Sequence, residues 1–285
     1  MIVTRFAPSP TGYLHLGHAF AAIAAHDAAK RAGGRFLLRI EDIDRTRARP
    51  EFEQAICDDL AWLGLEWARP ALRQSERFPA YRAALDQLDA QGLLYPCFCT
   101  RAEIATEIAR AIEAPHGPEG ALYPGTCRSL TQDERETRIE SGMPYALRLN
   151  VARAAERVRS LTFEEQGRGP NGENGLVAAD PMLFGDVVLA RKDTPASYHL
   201  AVVIDDVFQG VTLITRGNDL FAATHVQRLL QALLDLPSPA YAHHRLILDE
   251  HGQKFSKRDR AVTLRDMRAR GVTPEQIRAR LQLTA

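Results

Sequence analysis

The sequence predicts an α/β protein: a largely parallel sheet flanked by helices, an α+β insertion in its middle, and a short helical C-terminal region. Three observations predict it. Residues 1–34 read as strand, loop and helix, with Ile2, Val3 and Phe6 apolar, Pro8 and Pro10 stopping the strand, and an alanine-rich helix running from His15-Leu16-Gly17-His18 to Gly33-Gly34. RFLLRI at 35–40 is a nearly continuous apolar run, the pattern of a parallel strand covered on both faces. A cysteine-bearing stretch from Cys97 to about residue 175 then breaks the alternation, which resumes at 184–220.

A chain of 285 residues can bury a large core and suggests about two domains. Its 45% hydrophobic and 25% charged residues are those of a globular protein. The sequence has no run of eighteen apolar residues and no basic-then-apolar N-terminus, so neither a membrane span nor a signal peptide is expected. Four cysteines, three of them clustered, argue against a disulfide framework and for a reducing, cytoplasmic compartment. The formal net charge is zero, but residues 241–285 carry ten Lys/Arg against five Asp/Glu. That region either faces phosphates or is a solvated helical surface. Nothing suggests more than a monomer.

In the first unit, the loop delivers the chain to a helix N-terminus, where orphan N–H groups and the helix dipole can hold an anion. His15 and His18 stand there, and Gly17 between them leaves room for a ligand against the backbone. The plainer alternative is an ordinary βα turn with two surface histidines. Arg39 interrupts the second strand, and Glu41, Asp42 and Asp44 follow its C-terminal end, where open α/β sheets place ligands. Helices are predicted from Pro50, with Phe52, Ile56, Leu60 and Leu63 at helical spacing, and over 75–93, with Tyr81, Leu85 and Leu88 on one face.

Cys97 and Cys99 are one residue apart, and Tyr123 and Cys127 are four apart in sequence. Thiolates are strong ligands for Zn²⁺, which takes four donors in a tetrahedron. Three cysteines are one short; Tyr123 or His116 could complete the set. Such a site would be structural, clamping a small unit with little apolar core. Helices are predicted over 103–114 and from the Ser/Thr start at 129–131 to Gly142, with strands at 144–151 and 158–165. In 184–220, strands alternate with a helix onset, and Asp186, Asp193, Asp205 and Asp206 are read at turns. Leu246, Ile247 and Leu248 are read as a hairpin-like strand before a basic loop carrying Lys254, Lys257 and Arg258. Two short amphipathic helices close the chain, separated by Gly271 and Thr273-Pro274.

RFAPSPTGYLHLGH, paired with KFSKR at 254–258, resembles the signature pair of the class I aminoacyl-tRNA synthetases, and RFAPSPTG is similar to the glutamyl/glutaminyl branch. The resemblance runs from Arg5 to about Arg260. It implies a Rossmann-type class I synthetase catalytic domain with an inserted zinc-bearing α+β subdomain, a short helical C-terminal region and no anticodon-binding domain. On that basis residues 1–96 and 176–240 are the two halves of the catalytic domain, 97–175 the insertion that grips the RNA, and 241–285 the KMSKS-like loop with a short helical stem-contact region. The resemblance implies that Arg5, Ala7, Ser9, Glu41, Tyr198 and Arg216 bind glutamate, Arg5 on a carboxylate and Glu41 on the α-amino group. It implies ATP binding by His15, Gly17, His18 and Lys257, and catalysis by His15, His18, Lys254 and Lys257, with Mg²⁺ arriving on ATP. It also decides for Tyr123 beside Cys97, Cys99 and Cys127 as the holder of one structural Zn²⁺.

The chain stops at Ala285, where a discriminating glutamyl enzyme continues into an anticodon-binding domain. That layout resembles a stand-alone paralogue of the catalytic half, which esterifies wobble queuosine in tRNA-Asp. The implied partners are then ATP, L-glutamate and tRNA-Asp carrying queuosine. The alternatives are an ordinary glutamyl core acting on an acceptor end, a non-catalytic nucleotide- or RNA-binding regulator, and an unrelated nucleotidyltransferase. One departure stands out: Val202 occupies the position where the glutamyl enzymes usually have asparagine, four residues after the tyrosine.

Overall fold

The computed structural model describes residues 1–110, 116–118, 120–191, 194–247 and 262–283. The basic loop with Lys254, Lys257 and Arg258, the side chain of His116, Asp193 and Leu248 lie outside them. The chain opens as predicted, with β1 (Val3–Phe6), α1 (Leu16–Arg31) and β2 (Arg35–Ile40). α1 ends where Lys30 and Arg31 complement the helix dipole. Gly34 follows because the chain passes so close to β1 that a Cβ would stand 2.0 Å from the Ile2 carbonyl oxygen. α2 (Pro50–Trp62), β3 (Ala68–Arg73) and α3 (Phe78–Ala90) complete the first half.

β1, β2 and β3 form a parallel sheet with β2 in the centre. The next strand, β4 (Leu94–Cys97), leaves it and leads to α4 (Arg101–Arg110), the short antiparallel pair β5 (His116–Gly117) and β6 (Gly120–Ala121), and α5 (Gln132–Glu140). The predicted Ser/Thr start of α5 is a capping box, in which Thr131 and Glu134 each accept the other's backbone N–H. β7 (Ala146–Leu149), α6 (Val151–Arg157), β8 (Leu161–Glu165), β9 (Gly175–Ala179) and β10 (Val188–Arg191) follow. β10, β7 and β4 form an antiparallel sheet.

α7 (Tyr198–Phe208), β11 (Leu213–Gly217), α8 (Ala223–Leu233) and β12 (Ala240–His244) rebuild the parallel layer. β11 pairs with β12, β12 with β8, and β9 runs antiparallel on the outside. The two parallel groups meet at β1 and β11: Thr212 donates its N–H to the Val3 carbonyl at 3.0 Å, and its Oγ1 accepts the Val3 N–H at 2.9 Å. Strand order therefore reverses between β1 and β11, the position at which open α/β sheets bind ligands. Asp205 and Asp206, read from the sequence at turns, instead lie inside α7 and are buried. They stand there because each is saturated by partners from other elements. Asp205 accepts hydrogen bonds from Gln74, Arg77 and Tyr81, which ties α7 to α3.

The predicted terminal helices are α9 (Leu264–Ala269) and α10 (Pro274–Arg280), started by Thr263 and Thr273 capping boxes. Leu264, Met267, Ile277 and Leu281 bury themselves in the core made by α1, α2 and β2. Among the described residues, no helix is long and apolar enough to cross a membrane.

α2 places Asp59 against this C-terminal pair. It is 1% exposed, and among the described residues neither carboxylate oxygen has a hydrogen-bond partner. Burial pushes its pKa up from 3.8 to about 6, against the pull of Arg268. The folded chain thus keeps a proton between 3.8 and about 6 that the unfolded chain has released, so this contribution to stability falls as pH rises through that window. Asp59→Asn removes the titration and is expected to raise the unfolding free energy at pH 7.5 by roughly 2–3 kcal/mol, with little change near pH 4. Urea melts of both proteins at the two pH values check this; an equal change at both would refute it.

Candidate active site

At the C-terminal ends of β1, β2 and β11 lies a cleft of about 350 Å³. Every substrate and nucleotide residue named from the sequence within the described chain lines it: Arg5, Ala7, Ser9, His15, Gly17, His18, Glu41, Tyr198 and Arg216. Lys254 and Lys257 fall outside the described residues, but their flanks do not. Leu246 and Ile247 line the cleft on one side. On the other, the Leu264 N–H donates to the Leu14 carbonyl at 2.8 Å, and Thr263 bridges to His15.

His15 and His18 cap α1 together. The Gly17 N–H donates to His15 Nδ1 at 3.1 Å and the His15 N–H to His18 Nδ1 at 3.2 Å. Both Nδ1 atoms are acceptors, so in each neutral ring the proton sits on Nε2. The rings lie 3.8 Å apart between centroids. Gly17 lines the cleft, and its lack of a side chain also serves the cap. A Cβ there would stand 3.0 Å from His15 Cε1, so the glycine makes room for the imidazole that caps the helix.

Arg5 is anchored from behind. Its Nε donates to Asp206 Oδ1 at 2.9 Å and its Nη1 to the Thr215 carbonyl at 3.4 Å. The same Asp206 oxygen accepts from Arg39 Nη1 at 2.7 Å, and Arg39 Nη2 reaches Glu41 Oε1 at 3.4 Å. Burial alone would raise both acids. Arg39 and Arg5 override it at Asp206, whose pKa lies below the carboxylate range, whereas burial prevails at Glu41, whose pKa is raised. Arg39 and Asp206 were not predicted as site residues. The signal for Arg39 was present: a charge inside a run that is otherwise buried must have a buried partner.

Arg216 leaves β11 with all three nitrogens engaged: Nε with His243 Nε2 at 3.1 Å, Nη1 with Gln227 Oε1 at 2.8 Å, and Nη2 with Thr224 Oγ1 at 2.7 Å. Val202, in place of the usual asparagine, is 2% exposed in α7 and lines neither cavity.

Ser9, Glu41 and Tyr198 also line a second, larger cavity of about 910 Å³, which reaches Tyr123 and Arg148. Its walls include Arg47, Arg101, Tyr123, Arg148, Asp186 and His199. Burial, helped by Arg216, lowers the His199 pKa to about 4, which makes it a neutral imidazole, and its buried Nδ1 has no partner among the described residues.

Beyond that cavity the Sγ atoms of Cys97, Cys99 and Cys127 lie within 4.8 Å of one another. The Tyr123 hydroxyl stands 3.4 Å from Cys97 Sγ and 3.6 Å from Cys99 Sγ, and accepts the Cys127 N–H at 2.9 Å. Zn–S bonds of about 2.3 Å give a tetrahedron with edges of about 3.8 Å, so this donor set has the size and softness for a metal ion. Asp186 joins the cluster to the sheet, accepting from Tyr95, Arg128 and the Val151 N–H.

The fold and cleft are those of a class I aminoacyl-tRNA synthetase. The crystal structure of glutamate-tRNA synthetase from Elizabethkingia anophelis superposes with a TM-score of 0.75 at 30% identity, covering 90% of this chain and 53% of that one. The family model for the catalytic domain of class I tRNA synthetases (E and Q) matches residues 1–284, and the chain belongs to that family. It is 52% identical over 281 residues to the Glutamyl-Q tRNA(Asp) synthetase of Rhodobacter capsulatus, covering 97% of this chain and 98% of that protein. It is 40% identical to the glutamate–tRNA ligase of Aquifex aeolicus, of which it spans 55%.

Removing the Asp206 carboxylate strands two buried guanidinium groups. Asp206→Ala is expected to lower the unfolding free energy by about 3–5 kcal/mol. Denaturant melts at pH 7 measure it; a loss under about 1 kcal/mol, the worth of an exposed pair, would show that Arg5 and Arg39 do not depend on it.

Proposed function

We propose that this protein activates L-glutamate with ATP, without RNA, and transfers it to the cyclopentene-diol of wobble queuosine in tRNA-Asp. The observation that carries this reading is the 52% identity to a Glutamyl-Q tRNA(Asp) synthetase over 98% of that protein's length, against 55% coverage of a glutamate–tRNA ligase.

Activation is attack of the glutamate carboxylate on the α-phosphorus of ATP, with pyrophosphate leaving. It needs alignment of two anions and stabilisation of charge on phosphoryl oxygens more than proton transfer. The cleft supports each part. Arg5 and Arg216 are buried cations for the carboxylates, and Glu41, its side chain 11% exposed, is the acid for the α-amino group. Ala7 and Ser9 supply the strand end beside them, and Tyr198 closes the wall. His15 and His18 offer Nε2–H donors beside the N-terminus of α1, where Gly17 leaves the ring of His15 its space, and a nucleotide's phosphates suit that field. Lys254 and Lys257 are proposed to neutralise the triphosphate as the bond breaks, with Mg²⁺ brought by ATP. The larger cavity, sharing Ser9, Glu41 and Tyr198 with the cleft, gives an acceptor nucleoside a route to the activated carboxyl. The cysteine-bearing insertion at its rim is proposed to hold the RNA.

The insertion's three thiols with Tyr123 are proposed to hold one structural Zn²⁺. Bound there, zinc would tie the end of β4 to the turn at Cys127, where apolar packing is slight.

Two measurements test these readings. Labelled glutamate is expected to appear on tRNA-Asp that carries queuosine, not on tRNA prepared without it, and to survive oxidation of the terminal ribose. Label on tRNA-Glu that is lost on such oxidation would instead make this an acceptor-end enzyme. Cys99→Ala is expected to drop zinc from about one per chain to none and to loosen the insertion against proteolysis; unchanged metal content would sink the site.

A further inference from the structure

We propose that Glu165 and His243 are positioning residues for the amino-acid pocket, acting through Arg216. The inference rests on the reading that Arg216 faces the glutamate substrate.

His243 in β12 is the register partner of Arg216 in β11, and β8 brings Glu165 against the far side of the same histidine. The side chains of Glu165 and His243 are both fully buried. Glu165 Oε1 accepts the backbone N–H groups of His243 at 2.9 Å and Gly167 at 2.8 Å, while Oε2 lies 2.5 Å from His243 Nδ1. The other ring nitrogen, Nε2, lies 3.1 Å from Arg216 Nε. A guanidinium can only donate, so His243 Nε2 must be the lone-pair nitrogen and the ring proton must sit on Nδ1, donated to Glu165. The carboxylate therefore selects the tautomer, and the tautomer supplies the acceptor that holds Arg216.

The consequence is electrostatic. Arg5 and Arg39 share the carboxylate of Asp206. Arg216 is met instead by an imidazole, an amide oxygen and a hydroxyl, and among the described residues no carboxylate pairs with it. Neutral acceptors fix its plane without cancelling its charge. Arg216 is thus held rigid and left cationic in the cleft wall, the state required to grip a carboxylate of the incoming amino acid.

Glu165→Gln tests this with almost no change of shape. The amide oxygen can still accept the two backbone N–H groups, but the amide nitrogen donates to His243 Nδ1 and drives the ring proton to Nε2, against the N–H of Arg216. Nitrogen-15 spectra of the ring are expected to show Nδ1–H in the wild type and Nε2–H in the variant. In ATP–pyrophosphate exchange the glutamate KM is expected to rise by about tenfold while kcat changes by less than about threefold, because a contact shared by ground and transition states is weakened. Thr224→Val, which removes the acceptor at Nη2 and the hydroxyl 3.4 Å from His243 Nε2, is expected to raise KM in the same direction. A wild-type ring protonated on Nε2, or a KM within about twofold of wild type in both variants, would overturn the proposal. A wild type without glutamate-dependent exchange would instead overturn the assigned substrate, and the ring spectrum then decides the positioning claim alone.

Discussion

The structure depends on one buried carboxylate. Asp206, in the last turn of α7, accepts hydrogen bonds from Arg5 on β1 and Arg39 on β2 through a single oxygen, at 2.9 and 2.7 Å. Two guanidinium groups and a carboxylate in the interior cost much desolvation, and they persist only where geometry and further hydrogen bonds compensate. Here the compensation includes Glu41, which brings a second negative charge to Arg39. The result is a charge-balanced plug beneath the cleft, which leaves Arg5 and Glu41 in its wall with their orientations set from behind. Asp205, the preceding residue on the same helix, does the complementary task toward α3. Adjacent acids of one helix thus tie it to the sheet and to the next helical layer.

The cleft itself arises from topology. Strand order reverses between β1 and β11, and the cleft lies at the C-terminal ends of these strands, where open α/β sheets form a crevice. Helix α1 begins at its edge, capped by two imidazoles where serine or aspartate is the usual choice. That choice gives the cap a second use, because each ring accepts the helix's own N–H at one nitrogen and has a donor at the other. The C-terminal helices are drawn to the same place. Leu264 and Ile277 enter the core of α1 and α2, and the chain before them is pinned beside His15. That packing holds the described flanks of the second signature segment, Leu246 and Ile247 before it and Thr263 after it, beside the first.

The antiparallel sheet is attached differently. Leu94, Leu149 and Leu189 carry β4, β7 and β10 into the core shared with α7 and α8, and Asp186 binds Tyr95, Arg128 and the start of α6. Arg148 lies over the Tyr123 ring at 3.9 Å, so the cavity wall and the thiol cluster share a side chain. A metal held by these thiols would fix that wall as well as the turn that carries Cys127.

Much of this was determined by local sequence. The strand, loop and helix of residues 1–34, the apolar run at 35–40, the Thr131 capping box and the two terminal helices all follow from short-range patterns that physics reads the same way in any context. That the first motif's residues line one cleft, and that the three cysteines gather, was equally legible because such chemistry needs fixed residue types at fixed intervals. Tertiary structure alone decided the rest. Asp205 and Asp206 look like turn residues until partners from other elements make them tolerable inside a helix. Glu165 and His243 are 78 positions apart, and nothing local marks either, yet they meet with Arg216 where three parallel strands align. Buried ion pairs and tautomer selection are properties of distant groups brought into contact, and a linear sequence carries no term for that distance.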